Sequence, residues 1–266
     1  MDALAAMIRA LGGTIHTGRA VTRIRVAGGR VQGVEDAAGS FTPAQVVIAS
    51  GGVNEVFLEL VGVEHLPARF VENVRGVPLM DSIFMLHLGL DYDPSPYLHG
   101  VCTYFYGAYD FERGISEARE GLYHEGRDGF VVHVPSLHTP GMAPAGMHAM
   151  TIYTICPDRL AQGDWEERKE YFADRLAAWA EERIPGLRAH TRVRHILTPA
   201  DFRTRTHLKH HAFGGIAPLV GSWKAPHKTP VEGLWFVGAQ SESGGGVAAV
   251  MTAAFRTALQ AVGLYF

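Results

Sequence analysis

Cysteine is nearly absent: Cys102 and Cys156 are the only two in 266 residues. Two thiols build no disulfide framework and fit a reducing, cytoplasmic compartment. A basic excess is also lacking, since 24 Lys and Arg stand against 27 Asp and Glu for a net charge of −3. That balance gives no positive face for phosphates, so no nucleic-acid partner is expected. No apolar run is long enough to span a bilayer, and the opening MDALAAMIRALGG lacks the features of a signal peptide. Repeats, low-complexity tracts and charge blocks are missing too. So is a βαβ unit that opens with G-x-G-x-x-G and carries an acidic residue ~20 positions on. Gly28-Gly29 and Gly51-Gly52 do not have its spacing.

What is present is an ordinary globular mixture, 47% hydrophobic and 19% charged, with material for a real core. Leu4, Met7, Ile8 and Leu11 fall at helical spacing, and Gly12-Gly13 ends that helix. Thr22, Ile24 and Val26 alternate with Val21, Arg23 and Arg25 as in a half-buried strand. Gly28-Gly29 turns that strand into a hairpin. The apolar VVIAS reads as a strand buried on both faces, and Ser50-Gly51-Gly52 as a tight turn, most simply a plain one.

From about residue 56 to 212 the texture changes. DSIFMLHLGLD, GFVVHVPSL and HAMTIYTIC are strand-like runs joined by Gly-, Pro- and Tyr-rich segments. Asp164 and Glu167 open a helix through about Arg183, with Phe172, Leu176 and Trp179 as its apolar stripe. VRHILTPADFRTRTHL reads as a strand followed by a short helix from near Pro199. The expected architecture is α/β (α+β). Residues 1–55 and 213–266 form one domain and residues 56–212 an inserted mixed-sheet domain.

The last stretch is the most informative. Leu234 to Val237 is an apolar strand ending at Gly238. A polar turn leads to Gly244-Gly245-Gly246, then to an alanine-rich helix. Val247, Val250, Met251, Ala254, Ala258 and Val262 give that helix one apolar face. Such a start aims backbone N–H groups and a positive dipole end at a negative or electron-rich ligand. Gly244 to Ala249 matches G-x-G-x-x-A, a weak match because no βαβ unit follows.

These segments together resemble a known family. GGTIHTGRAVTRIRV, GGRVQGVEDAAGSFTPAQVVIAS and, far downstream, VEGLWFVGAQSESGGGVAAVMTAAF look like the phytoene desaturase-like flavoproteins. Those are the carotenoid desaturases and isomerases and the retinol saturases, within the wider amine-oxidase-type FAD fold. GMAPAGMHAMTIYTICP and ILTPADF keep the family's order. By that resemblance, residues 1–55 and 213–266 are a partial Rossmann-like domain and residues 56–212 bind substrate. The resemblance implies FAD as cofactor, with Val21 beside the adenine, Gly238 and Ala239 approaching the pyrophosphate and ribityl chain, and Gly245, Gly246 and Val247 facing the flavin ring. It implies desaturation or isomerisation of an apolar isoprenoid chain by hydride transfer to flavin, a reaction that demands no side-chain acid or base, so no catalytic residue is named. The family's first βαβ unit has no counterpart here. The chain is therefore expected to be a C-terminal part or subunit whose open sheet edge a second polypeptide or a second copy covers.

Other features leave alternatives open. The aromatic YLHGVCTYFYGAYDF reads as a tunnel lining, as a peripheral membrane contact, or as core beneath a loop. His207, His210 and His211 stand at i, i+3 and i+4, but nothing completes a ligand set and no metal is assigned. Ser241 and Ser243 lack the flanking glycines of a nucleophile elbow. A non-catalytic binding protein of the same fold, like the Rab GDP-dissociation inhibitors, remains the rival to a flavoenzyme.

Overall fold

The computed structural model describes residues 2–264. In chain order its α-helices and strands are α1 (Asp2–Ala10), β1 (Val21–Ala27), β2 (Arg30–Asp36), β3 (Phe41–Pro43), β4 (Val47–Ser50), α2 (Ala68–Arg75), β5 (Ser82–Leu90) and β6 (Cys102–Tyr106). There follow α3 (Phe111–Arg119), β7 (Gly129–His133), β8 (His148–Cys156), α4 (Trp165–Glu181), β9 (Thr191–Leu197), α5 (Pro199–Thr206), β10 (Leu234–Val237) and α6 (Val247–Ala261). The chain divides into two compact units, one formed by the residues up to Pro78 with those from Pro218 onward, the other Leu79–Ala217. The boundaries expected at 55/56 and 212/213 thus fall at 78/79 and 217/218. Residues 56–78 stay with the first unit because their aromatic side chains are part of its core. Phe57 meets Phe236 edge-on at 5.1 Å and Phe70 at 4.9 Å, and Phe70 meets Trp223 at 5.4 Å. Each such pair contributes about 0.5–1.5 kcal/mol beyond its buried area.

In the first unit, β1, β2 and β3 form an antiparallel meander. The Asp36 carboxylate closes its last turn by accepting the amides of Ala38 and Ser40, each at 3.0 Å, and pairs with Arg19. Strands β4 and β10 form a separate two-stranded parallel sheet. The VVIAS strand is not buried on both faces as its composition suggested, for Ile48 is 45% exposed. Composition alone did not reveal that β4 has one strand neighbour among the described residues. The apolar face of α6 is likewise uncovered, with Val247 76% and Phe255 66% exposed, and α1 buries none of its residues.

The second unit is a five-stranded sheet in the order β6-β7-β8-β5-β9. It is antiparallel throughout rather than mixed, since every neighbouring pair runs antiparallel. Alternation along β5 sends Phe84, Leu86, Leu88 and Leu90 into the core with Trp165, Phe172 and Leu176 of α4. Helix α4 starts where expected: the Asp164 carboxylate accepts the Glu167 amide at 2.8 Å. Helix α5 opens with a full capping box between Thr198 and Asp201. The three clustered histidines do not share a helical face, because His207 ends α5 in a left-handed conformation (φ 56°). His211 is buried against the Ser82 hydroxyl at 2.8 Å and stacks on Phe202, and His210 bonds the Met80 carbonyl at 3.0 Å.

Burial makes three histidines of this unit hard to charge. Desolvation lowers His87, His124 and His211, helped at His87 by His195 and Arg205 and opposed at His124 and His211 by a nearby aspartate. The unfolded chain then binds more protons below about pH 6.5, the ordinary histidine value. The stability these groups lend is full above that pH and is lost as pH falls through their folded values. The melting temperature is expected to hold above pH 7 and to drop by pH 5.5, before the aspartates titrate. A flat profile across that interval would contradict this burial.

Candidate functional site

The parallel pairing of β4 with β10 runs Leu234↔Val47 to Val237↔Ser50, so both strands end side by side. In open α/β sheets ligands bind just outside such carboxyl ends. Each strand is followed by a glycine at positive φ, Gly51 at +127° and Gly238 at +109°. At Gly238 the positive φ would strain any side chain, although a Cβ there would make only ordinary contact with Ser50 Cβ at 3.8 Å.

The turn that follows is stapled from within. The Ser241 amide and hydroxyl both donate to the Gly238 carbonyl, at 3.0 and 2.7 Å. The hydroxyls of Ser241 and Ser243 lie 2.9 Å apart, which gives both serines a structural part. Buried Gln240 accepts the Val53 amide on Oε1 at 2.9 Å and so ties the turn after β10 to the one after β4. The chain then opens out. Gly246 stands at φ +103°, and a Cβ at Gly244 or Gly246 would meet nothing within 4 Å.

The first backbone bond of α6 runs from the Val250 amide to the Gly246 carbonyl at 3.0 Å. The amides of Val247, Ala248 and Ala249 therefore have no helical acceptor, and no side chain caps them. A groove of about 800 Å³ lies along the helix, lined by Ser243, Ala249, Thr252 and Arg256 together with His227, Lys228 and Glu242. The bend is open rather than packed shut by the protein's own side chains.

Gly238, Ala239, Gly245, Gly246 and Val247 thus belong to one continuous segment that runs from the end of β10 to the first residue of α6. Val21 lies apart from them in sheet terms: it opens β1 of the meander, pairs with Asp36 and is half-exposed. Gln240 escaped sequence reasoning because a glutamine in a Ser- and Gly-rich turn reads as solvated, and only its burial marks it.

A second constellation lies wholly within the other unit. Tyr104, Val131, Tyr153 and Met85 are successive register partners across β6, β7, β8 and β5. They form a row on the sheet face away from α4. Beside them Phe111, Ile115 and Ala118 recur along one face of α3, and a cavity of about 360 Å³ lies between. Asp81 and Asp128 also line it. Burial, with Tyr104 and Cys102 nearby, pushes the Tyr153 hydroxyl up to about 12, which keeps it a proton donor. The aromatic stretch of the sequence is therefore in part the edge strand β6 and the wall of this cavity. Asp81 had one sequence signal, a lone acid directly before the apolar run SIFMLHLGL.

Known proteins resemble this chain along nearly its full length. It is 29% identical over 287 residues to pyridine nucleotide-disulfide oxidoreductase domain-containing protein 2 of Rattus norvegicus, an alignment covering 98% of this chain and 49% of the relative. It is 29% identical over 263 residues to a lycopene-forming phytoene desaturase of a Paracoccus strain, covering 96% of this chain and 52% of that protein. An oxidoreductase structure from Methanosarcina mazei shares the fold with a TM-score of 0.64 at 19% identity, over 96% of this chain and 53% of that one. No family model matches. The chain spans about half the length of the curated relatives it matches. Among the described residues no helix is long and apolar enough to cross a membrane.

The Gln240 tie is open to direct test. Gln240→Leu leaves the buried Val53 amide without its acceptor and is expected to cost about 1–3 kcal/mol of stability in denaturant unfolding. Gln240→Glu keeps an acceptor and should cost less. Equal stability of wild type and the leucine variant would show that the tie does not hold the two turns together.

Proposed function

We propose that this chain, a relative of the phytoene desaturase-like FAD-dependent oxidoreductases, forms the flavin-facing and substrate-facing part of such an enzyme. The observation that carries this reading is the open glycine bend at the carboxyl ends of two parallel strands, followed by an uncapped helix start. These residues fit FAD. Gly238 lets main chain approach a phosphate closely. Gly244 and Gly246 leave room for a flat ring against the backbone. The free amides of Val247 to Ala249 favour negative charge on that ring. FAD, when bound, supplies a hydride acceptor for a C–H bond beside a double bond.

The protein's own task is then to align an apolar substrate and keep water away. The aromatic cavity of the second unit, lined by Tyr104, Tyr106, Phe111, Tyr153 and Phe213, supports an isoprenoid or similarly apolar substrate undergoing C–C desaturation or isomerisation. A further polypeptide, either another chain or a second copy, is proposed to complete the cofactor unit. The unpaired edge of β4 and the exposed apolar faces of α1 and α6 support that, because parallel sheets are nearly always covered.

The test is retention of flavin. Purified protein mixed with FAD and passed through gel filtration is expected to keep a yellow chromophore. Gly246→Val should weaken retention by about tenfold or more, equivalent to ~1.4 kcal/mol. A colourless protein under every condition, or unchanged retention in the variant, would refute the assignment and favour a non-catalytic binding role.

A further inference from the structure

We infer that the aromatic cavity of the second unit takes a ligand with a cationic amine head and an apolar tail, the head seated at the Asp81 carboxylate. The inference deepens the apolar-substrate reading and rests on it only for the tail. Its basis is a contrast among the three carboxylates that line one apolar space, of which Asp110 is occupied as the cap of α3, accepting the Arg113 amide at 3.0 Å with the Arg113 guanidinium 3.8 Å away.

Asp128 is already balanced. Desolvation pushes it up, but a bond from Arg127 at 2.8 Å together with the fields of Arg127 and Arg113 brings it below the ordinary value. Arg113 also stands 3.5 Å from its second oxygen. Asp81 has no such partner: among the described residues no cation lies within ion-pair distance of it. Burial raises it, and the more distant positive fields of Arg119 and His210 only partly offset that. Its backbone is fixed by the Phe213 amide donating to its carbonyl at 2.9 Å, so the carboxylate cannot simply move off into water with a flexible loop.

His124, the histidine in the wall, does not supply the missing charge. Its Nδ1 accepts the Gly126 amide at 3.2 Å, and its Nε2 faces the Ile155 carbonyl at 3.1 Å. That is the pattern of a neutral ring protonated on Nε2, and burial lowers its pKa. A half-buried carboxylate without a counter-ion is costly, and a ligand ammonium removes that cost. The surrounding Tyr104, Tyr106, Phe111 and Phe213 offer ring faces to a cation and apolar area to an alkyl tail. The cavity, at about 360 Å³, is of small-ligand size. A neutral alcohol would gain the tail burial alone, and an acid would meet repulsion.

The experiment compares three probes that share a tail, octylamine, octanol and octanoate, by calorimetric titration into the purified full chain without flavin. Octylamine is expected to bind about tenfold or more tightly than octanol, with octanoate weakest. Asp81→Asn should bring octylamine level with octanol while leaving octanol binding unchanged. Asp128→Asn should preserve the amine preference. Octanol binding as tightly as octylamine in the wild type would overturn the amine head and leave the apolar cavity standing. No binding of any probe would overturn the apolar-substrate reading with it. Both wild-type outcomes hold whether or not the variants fold, and neither depends on FAD retention.

Discussion

The parallel ladder between β4 and β10 is the constraint from which the first unit takes its shape. Four paired residues on each strand bring Ser50 and Val237 level, and both chains must then leave the sheet at the same edge. Glycine follows each strand, so the two exits can pass close without side chains between them, and Gln240 locks one exit to the other through the Val53 amide. So short a parallel ladder has little stability of its own. Its footing is Phe236, wholly buried and in edge contact with Phe57, which continues through Phe70 to Trp223. Losing that aromatic chain would free the ladder, and with it the bend that precedes α6.

The second unit solves a different problem. One face of its antiparallel sheet is sealed by α4, with Phe84 stacked on Trp165 at 5.7 Å and in edge contact with Phe172. The other face carries intermediate residues such as Met85, His87 and Tyr153, which a half-solvated sheet tolerates. That face is where α3 and β6 enclose the aromatic cavity. The sheet is thus rigid on its sealed side and carries accessible aromatic surface on the other.

Much of this was legible in the sequence, for identifiable reasons. The long strands β5, β7 and β8, the cap at Asp164 and the start of α5 at Pro199 follow from period-two patterning and local capping chemistry, which tertiary context did not override. The bend from Gly238 to Gly246 was legible because glycine at those positions has a backbone cause. What failed depended on neighbours. VVIAS is apolar enough for a doubly buried strand, yet Ile48 is exposed because burial is a property of what packs alongside. The helical face from Val247 to Val262 has the right period and no cover. Residues 56–78 carry no boundary signal, and only the Phe57 and Phe70 contacts assign them to the first unit. Asp81 could not be weighed against Asp128 without coordinates, since the difference between them is the presence of Arg127 and Arg113.

The central claim is that main chain at the start of α6 lies against a flavin ring. Amide hydrogen exchange of the purified chain, with and without FAD, tests it at the residues concerned. The account predicts that FAD slows exchange at Val247, Ala248 and Ala249, the amides that α6 leaves without acceptors, and in the turn that precedes them. FAD binding that leaves those three amides exchanging as fast as before would contradict it.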